Sequence, residues 1–262
     1  MDEDFKNLMK LVNKIREIAS QYQFEVECDN VIKNVYLLRK FWKPKKIKLL
    51  LLAESHVWTT EEESKVKVII ENTMLGDDYP KHYSRFVYCL GYGENSLLNN
   101  EIQNNNGTPQ FWKLFYGLFK DLSVQNNRNN INVLKSHVRN NQVRIQNKIK
   151  LLSKMKEKGG WLLDASPIAL YRNNERACND LYREVLHLSM DCYINRIIER
   201  EQPLNILVIG RSVFDILESK IKGSTLERIT SWIYQPQAKL SREAHNKNFK
   251  KLYKIASNII NG

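Results

Sequence analysis

A chain of 262 residues with 42% hydrophobic composition can bury a substantial core, and we read residues 1–262 as one domain. Its 41 lysines and arginines against 29 aspartates and glutamates leave a formal charge of +12, a long-range field that favours a polyanionic partner such as nucleic acid. The four cysteines, Cys28, Cys89, Cys178 and Cys192, stand apart with no CxxC or His-Cys cluster, which argues against zinc and iron–sulfur sites and for reduced, mostly buried thiols.

The acidic start Met1-Asp2-Glu3-Asp4-Phe5 has no apolar signal core, and no run approaches the roughly 20 apolar residues of a membrane span. A cytoplasmic protein without membrane contact is expected. Phe5, Leu8, Met9, Leu11, Val12, Ile15 and Ile18 recur at helical spacing, so residues 1–45 are expected to form a helical cap. The basic run Lys43-Pro44-Lys45-Lys46 then breaks the chain, and an apolar strand from Ile47 to Ala53 ends in Glu54-Ser55-His56.

A helix is expected from Glu61 to Asn72, followed from Gly76 to Tyr92 by a stretch rich in Gly, Asp, Pro and Tyr that reads as a functional loop. Thr108 as N-cap and Pro109 at the first helical position open an aromatic helix, Phe111 to Phe119, whose rings belong in the core. Between residues 125 and 147 the apolar positions are too sparse for a packed face, which suggests an exposed insertion or helix. Arg128, Lys135, Arg139 and Arg144 there are candidate phosphate contacts. Gly159-Gly160 ends a Lys-rich helix and releases a second strand, Trp161-Leu162-Leu163, which runs into Asp164-Ala165-Ser166-Pro167.

Asn179 to Glu199 has the pattern of an amphipathic helix, and Asn205 to Gly210 is a third buried strand. Arg211-Ser212 opens the helix after it, where backbone N–H groups and the helix dipole favour an anion. Thr230 to Tyr234 reads as a fourth strand before Gln235-Pro236-Gln237, and a last helix spans about Arg242 to Ile259. This alternation predicts a three-layer α/β/α sandwich around a mainly parallel four-stranded sheet.

In an open parallel sheet ligands bind outside the carboxyl ends of the strands, so Glu54 and Asp164 are expected to converge on one crevice. Glu54 can orient and deprotonate an attacking water, with His56 assisting. The plainer reading makes both acids helix caps or ion-pair partners.

Three motifs resemble the uracil-DNA glycosylase superfamily in position and order. Ala53-Glu54-Ser55-His56-Val57 is similar to its Gly-Glu-x-Pro-Gly motif, with identity only at the Glu, and the resemblance gives Glu54 the water-activating role. Leu162-Leu163-Asp164-Ala165-Ser166-Pro167 resembles a Leu-Leu-Asn-x-x-Leu-Thr strand ending in a base-reading Asn. Here that Asn is an Asp, which only accepts hydrogen bonds and so suits the exocyclic amine of cytosine rather than the O4 carbonyl of uracil.

Tyr234-Gln235-Pro236-Gln237-Ala238-Lys239-Leu240 resembles a His-Pro-Ser loop that, in the family, bonds the departing base and presses into the minor groove. The resemblance therefore implies a monofunctional DNA glycosylase without metal or cofactor. Its substrate would be a flipped, modified cytosine such as those found mainly in phage DNA, which suggests an antiphage role. Asp164, Ser166 and Gln235 would contact the base, with Tyr83 stacking on it in preference to Tyr79 or Phe86. Gln237, Lys239, Arg242, Arg211 and Ser212 would contact DNA, Leu240 would act as wedge, and the expected partner is double-stranded DNA bound by a monomer.

Two other classes fit the same residues. One is a non-catalytic nucleic-acid-binding module on this fold. The other is a metal-dependent nuclease holding a divalent cation through Glu54, Asp164 and His56.

Overall fold

The computed structural model describes residues 2–70, 75–172, 175–218, 229–235 and 237–260. Helices α1 (Glu3–Gln21) and α2 (Asp29–Phe41) open the chain. Asp2 caps α1 by accepting from Phe5 N at 3.0 Å, and Phe5, Leu8, Val12, Ile15 and Ala19 form its buried stripe. Strand β1 (Leu49–Ala53) follows, then α3 (Glu61–Lys65), α4 (Pro109–Gly117), α5 (Gln125–Asn129) and α6 (Asn141–Glu157). The helix expected from Glu61 to Asn72 stops at Lys65, and residues 71–72 lie outside the described residues.

Next come β2 (Gly160–Asp164) and a small hairpin, β3 (Tyr171–Arg172) and β4 (Glu175–Arg176). Helix α7 (Asn179–Ser189) passes through one π-helical turn at Met190–Ile194 into α8 (Asn195–Glu201). The chain ends with β5 (Asn205–Ile209), α9 (Arg211–Glu218), β6 (Ile229–Ile233) and α10 (Arg242–Ile259).

Four strands form one all-parallel sheet in the order β2-β1-β5-β6. Leu49 to Leu52 and Ile206 to Ile209 are buried without a break, because strands covered on both faces need no polar alternation. The helices pack in two groups, α1 with α2, α7 and α9, and α4 with α6 and α10, the layering of an α/β/α sandwich. One connected apolar core reaches from Phe5 in α1 to Ile260 after α10.

The expected loop from Gly76 to Tyr92 is part of that core. Between Gly76 and Tyr92 the chain buries Tyr79, Tyr83, Phe86, Val87, Tyr88 and Leu90. Tyr88 covers the edge of β2, its hydroxyl accepting from Leu162 N at 2.7 Å. Residues 125–147 carry α5 and the first turns of α6 and are mostly exposed, with Ile131, Val133, Leu134 and Arg144 buried. Arg144, a candidate phosphate contact, is committed to a buried carboxylate: its Nε donates to Glu94 Oε1 at 2.8 Å, and Lys148 Nζ donates to the same oxygen at 2.6 Å. All four cysteines are free thiols, but only Cys89 is buried, and Cys178 is exposed.

Candidate active site at the carboxyl ends of the strands

The chain lays β2 on one side of β1 and returns to lay β5 on the other, so the order reverses between β1 and β5. A crevice at the carboxyl ends of the strands is expected at such a switch point. Glu54, the first residue past β1, lies there. Its carbonyl accepts from Ser166 N at 2.9 Å, which prolongs the strand pairing, and its side chain turns inward to 8% exposure.

Gln235, two residues past β6, donates from Nε2 to Glu54 Oε2. This contact depends on Gly210 at the end of β5. The glycine has φ +110°, and Gln235 Cγ and Nε2 lie 3.1 and 3.2 Å from where a Cβ would stand. Tyr182 of α7 is the next neighbour of Glu54. The Tyr182 hydroxyl lies close enough to the Glu54 carboxylate to favour its charged form, although among the described residues neither it nor Glu54 Oε1 makes a hydrogen bond of full geometry. The small hairpin supplies Tyr171 and Arg176, and the Arg176 guanidinium lies 4.7 Å over the Tyr182 ring. Burial pushes the Glu54 carboxyl above its ordinary range, the nearby Asp164 charge adds to this, and Gln235, Tyr182 and Arg176 oppose it.

Asp164 ends β2 level with Ala53 and is buried. Its Oδ2 accepts from Arg39 of α2 at 2.8 Å, and His56 Nδ1 lies 3.7 Å from the same oxygen. His56 Nε2 meets Glu27 Oε2 at 2.9 Å. The buried Glu27 carboxylate also accepts from Thr59 N and Ala169 N, each at 2.9 Å, and so ties together the segments that follow β1 and β2. Burial works against a charged imidazole, but the Glu27 carboxylate, with Asp164 behind it, outweighs that and pushes His56 up to about 9. His56 is therefore protonated at neutral pH, so it can assist Glu54 only as a positive charge and not as a base.

Asp164, His56, Arg85, Phe86, Tyr92 and Phe111 line a cleft of about 30 Å³, enough for one water. Tyr83 is not on its wall. It is fully buried, and its hydroxyl donates to Asn105 Oδ1 at 2.9 Å; the rings that line the cleft with Asp164 are His56, Phe86, Tyr92 and Phe111, with the Arg39 guanidinium 5.4 Å over Phe86. Tyr79 is likewise buried, its hydroxyl donating to Tyr88 O at 3.1 Å. Ser166 is also withdrawn from any ligand, because its buried hydroxyl donates to Ile168 O and accepts from Ile168 N within its own turn.

The candidate DNA contacts fall in two places. Gln237, Lys239, Leu240 and Arg242 line a groove of about 660 Å³ beside α4 and residues 128–137, while Pro236 lies outside the described residues. Leu240 is half-buried in the groove wall and does not project as a wedge. Arg211 and Ser212 are exposed at the start of α9, with Arg211 Nε 3.5 Å from Asp215 and its guanidinium 5.9 Å over Trp232.

Four residues at the site escaped the sequence reading: Glu27, Arg39, Arg176 and Tyr182. Arg39 had a usable signal, since it continues the Ile32, Val35, Tyr36 face of α2, where a charge needs a buried partner. Tyr182 sits on the apolar face of α7 with Leu181 and Val185. Glu27 lies between helices and Arg176 in a two-residue strand, where no periodicity marks them.

Among the described residues no three His, Cys, Asp or Glu side chains are placed to hold a metal ion. No helix among them is long and apolar enough to cross a membrane. No protein family model matches the chain, and no curated protein matches it significantly.

Proposed function

We propose that the protein is a DNA glycosylase that hydrolyses the N-glycosidic bond of a modified cytosine. The observation that carries this reading is Glu54 at the switch point. One of its oxygens is held by Gln235 and the other lies beside Tyr182 without a hydrogen bond of full geometry, one strand away from a cleft walled by Asp164 and Phe86.

Glu54 Oε1 accepts a hydrogen bond from a water and takes its proton as the water oxygen attacks the sugar C1′. The bond from C1′ to the base breaks, and its electron pair leaves with the base. The positive charge that develops on the sugar is balanced by the Glu54 carboxylate. Negative charge on the departing base is balanced by His56 and Arg39, the two cations against Asp164. Arg39 occupies Asp164 Oδ2, so Oδ1 accepts from the exocyclic amine of a cytosine, and Phe86 stacks on the ring.

Because the cleft holds only about one water, a base enters by displacing a wall. Phe111, half-buried at the start of α4, is the wall that moves in this reading. The closed cleft is also the observation that favours the second reading, a nucleic-acid-binding module without catalysis.

The test is excision from labelled single strands and duplexes carrying uracil, cytosine, hydroxymethylcytosine or glucosylated hydroxymethylcytosine, in EDTA, with alkali to cut abasic sites. Alkali-dependent cleavage of a cytosine derivative that Glu54→Gln abolishes supports the glycosylase. Binding without excision of any base moves the binding module to first place. Cleavage seen only when a divalent cation is restored points to the nuclease.

A further inference from the structure

The groove beside α4 has a chemistry of its own. Its rim carries Lys113 of α4, Arg128 just before the end of α5, Lys239 in the segment before α10 and Arg242 at the start of that helix, and no carboxylate lines it. Among the described residues Lys113 and Lys239 have no ion-pair partner, and Arg128 Nε is buried without a hydrogen bond. Lys113 and Lys239 are not used up by the fold, in contrast to Arg144 and Lys148 on neighbouring α6. Arg128 and Arg242 donate to the neutral Asn246 Oδ1 and Gln125 Oε1 and, among the described residues, keep their charge unpaired. The floor is apolar, built from Leu122, Ile131 and Leu134. Three flat rings, His137, His245 and Phe249, also face the groove.

The groove lies near the candidate active site, with one hollow between them that shares wall residues with each. The Asp164 cleft and a hollow of about 250 Å³ share Tyr92 and Thr108 as walls. That hollow and the groove in turn share Leu134 and Ser136. At its other edge the groove is bounded by residues 237–240, which follow closely on Gln235, the partner of Glu54.

A cationic rim above an apolar floor with flat rings suits a polyanion whose bases are unstacked. Phosphates meet the rim and bases meet the floor, which is how unpaired strands are held. A duplex keeps its bases in the stack and offers phosphates on a convex surface, so a recessed apolar floor has nothing to contact. We infer that this groove binds single-stranded DNA and leads it to the Asp164 cleft, which makes an unpaired strand the substrate instead of the intact duplex that the sequence suggested. The inference rests on the nucleic-acid reading above and specifies its substrate.

The test measures binding in the Glu54→Gln protein, where no excision intervenes, by anisotropy of a labelled oligothymidine of about a dozen nucleotides and of a blunt duplex. The single strand is expected to bind at least about tenfold more tightly. Lys113→Gln and Lys239→Gln, with unchanged unfolding midpoints, are each expected to weaken single-strand binding about fivefold near 0.1 M salt. Each is also expected to reduce the slope of log affinity against log salt by about 0.7. A duplex bound as tightly as the single strand overturns the inference, as does wild-type affinity in both lysine variants or no measurable binding of either probe. Failure of the glycosylase reading is recorded separately, as absence of excision by the wild-type protein, and single-strand binding by the groove stands or falls without it.

Discussion

Glu54 is placed where burial raises its proton affinity, yet the proposed chemistry needs it ionised. Excision should therefore rise with pH along an acid limb whose midpoint lies above 4.5, the ordinary value for this carboxyl, and a pH–rate profile on the responsive substrate measures it. Glu54→Gln should reduce the rate by about 10²-fold or more, the scale of a lost general base. The same change acts on stability with the opposite sign. A carboxyl whose folded pKa is raised stabilises the fold below its unfolded pKa and loses that contribution as pH climbs through the folded value. At neutral pH Glu54→Gln should thus raise stability by about 1 kcal/mol, read from chemical denaturation, whereas a Glu54 serving only as a structural cap would lose stability on replacement. His56 behaves in the same sense: its folded pKa of about 9 against 6.5 gives a contribution fully present below 6.5 and lost as pH rises through about 9. Glu27→Gln removes the anion that holds this imidazolium. It should cost about 3 kcal/mol at pH 6, with the gap to wild type closing by pH 10, as two denaturation series would record.

Elements set which of these residues meet. Gly210 is the hinge of the arrangement, since the turn from β5 into α9 needs a positive φ and Gln235 fills the space beside its Cα. Gly210→Ala should cost about 1–3 kcal/mol from backbone strain and should also push Gln235 off Glu54. The second effect separates it from simple destabilisation: excision should fall well below wild type at a temperature where the variant is still folded. Strands β1, β2 and β5 were legible in the sequence because continuous apolar runs ending in Glu, Asp or Gly announce a doubly covered parallel sheet, and β6 was legible from its β-branched and aromatic residues before the Gln-Pro turn. Helix α10 was legible to its ends because Ser241 caps it, accepting from Ala244 N at 3.2 Å, and apolar residues recur along it at helical spacing. The buried parts of residues 76–92 and 125–147 were not legible. What is buried there comes from tertiary contacts such as Tyr88 on the edge of β2, and no helical or strand periodicity marks it in the sequence. At the site, Glu54, Asp164 and Gln235 were found from their places at strand ends. Glu27 was missed because its partners, His56, Thr59 and Ala169, come from elements distant in sequence.

At the scale of the whole molecule the formal charge is +12, and its lysines and arginines line both a hollow at the amino end of the sheet and the groove beside α4, which should do different work. At the amino end Lys45 and Lys46 are exposed before β1, beside Lys48 and Lys156, around a hollow of about 590 Å³. The candidate site lies past the carboxyl end of the same strands, roughly 17 Å away for a five-residue strand. Charge at that distance exceeds the Debye length of about 8 Å at physiological salt, so it adds to non-specific attraction but hardly to events in the cleft. Replacing both Lys45 and Lys46 with Glu should lower non-specific affinity for long DNA and flatten its salt dependence. Single-turnover excision of a short substrate at saturating protein should be unchanged. Lys113→Gln at the groove should show the reverse weighting, with a higher KM on short substrates and a modest loss on long DNA. Equal effects of the two changes in both assays would mean that the charge acts only as a diffuse field, and that the groove has no privileged place in it.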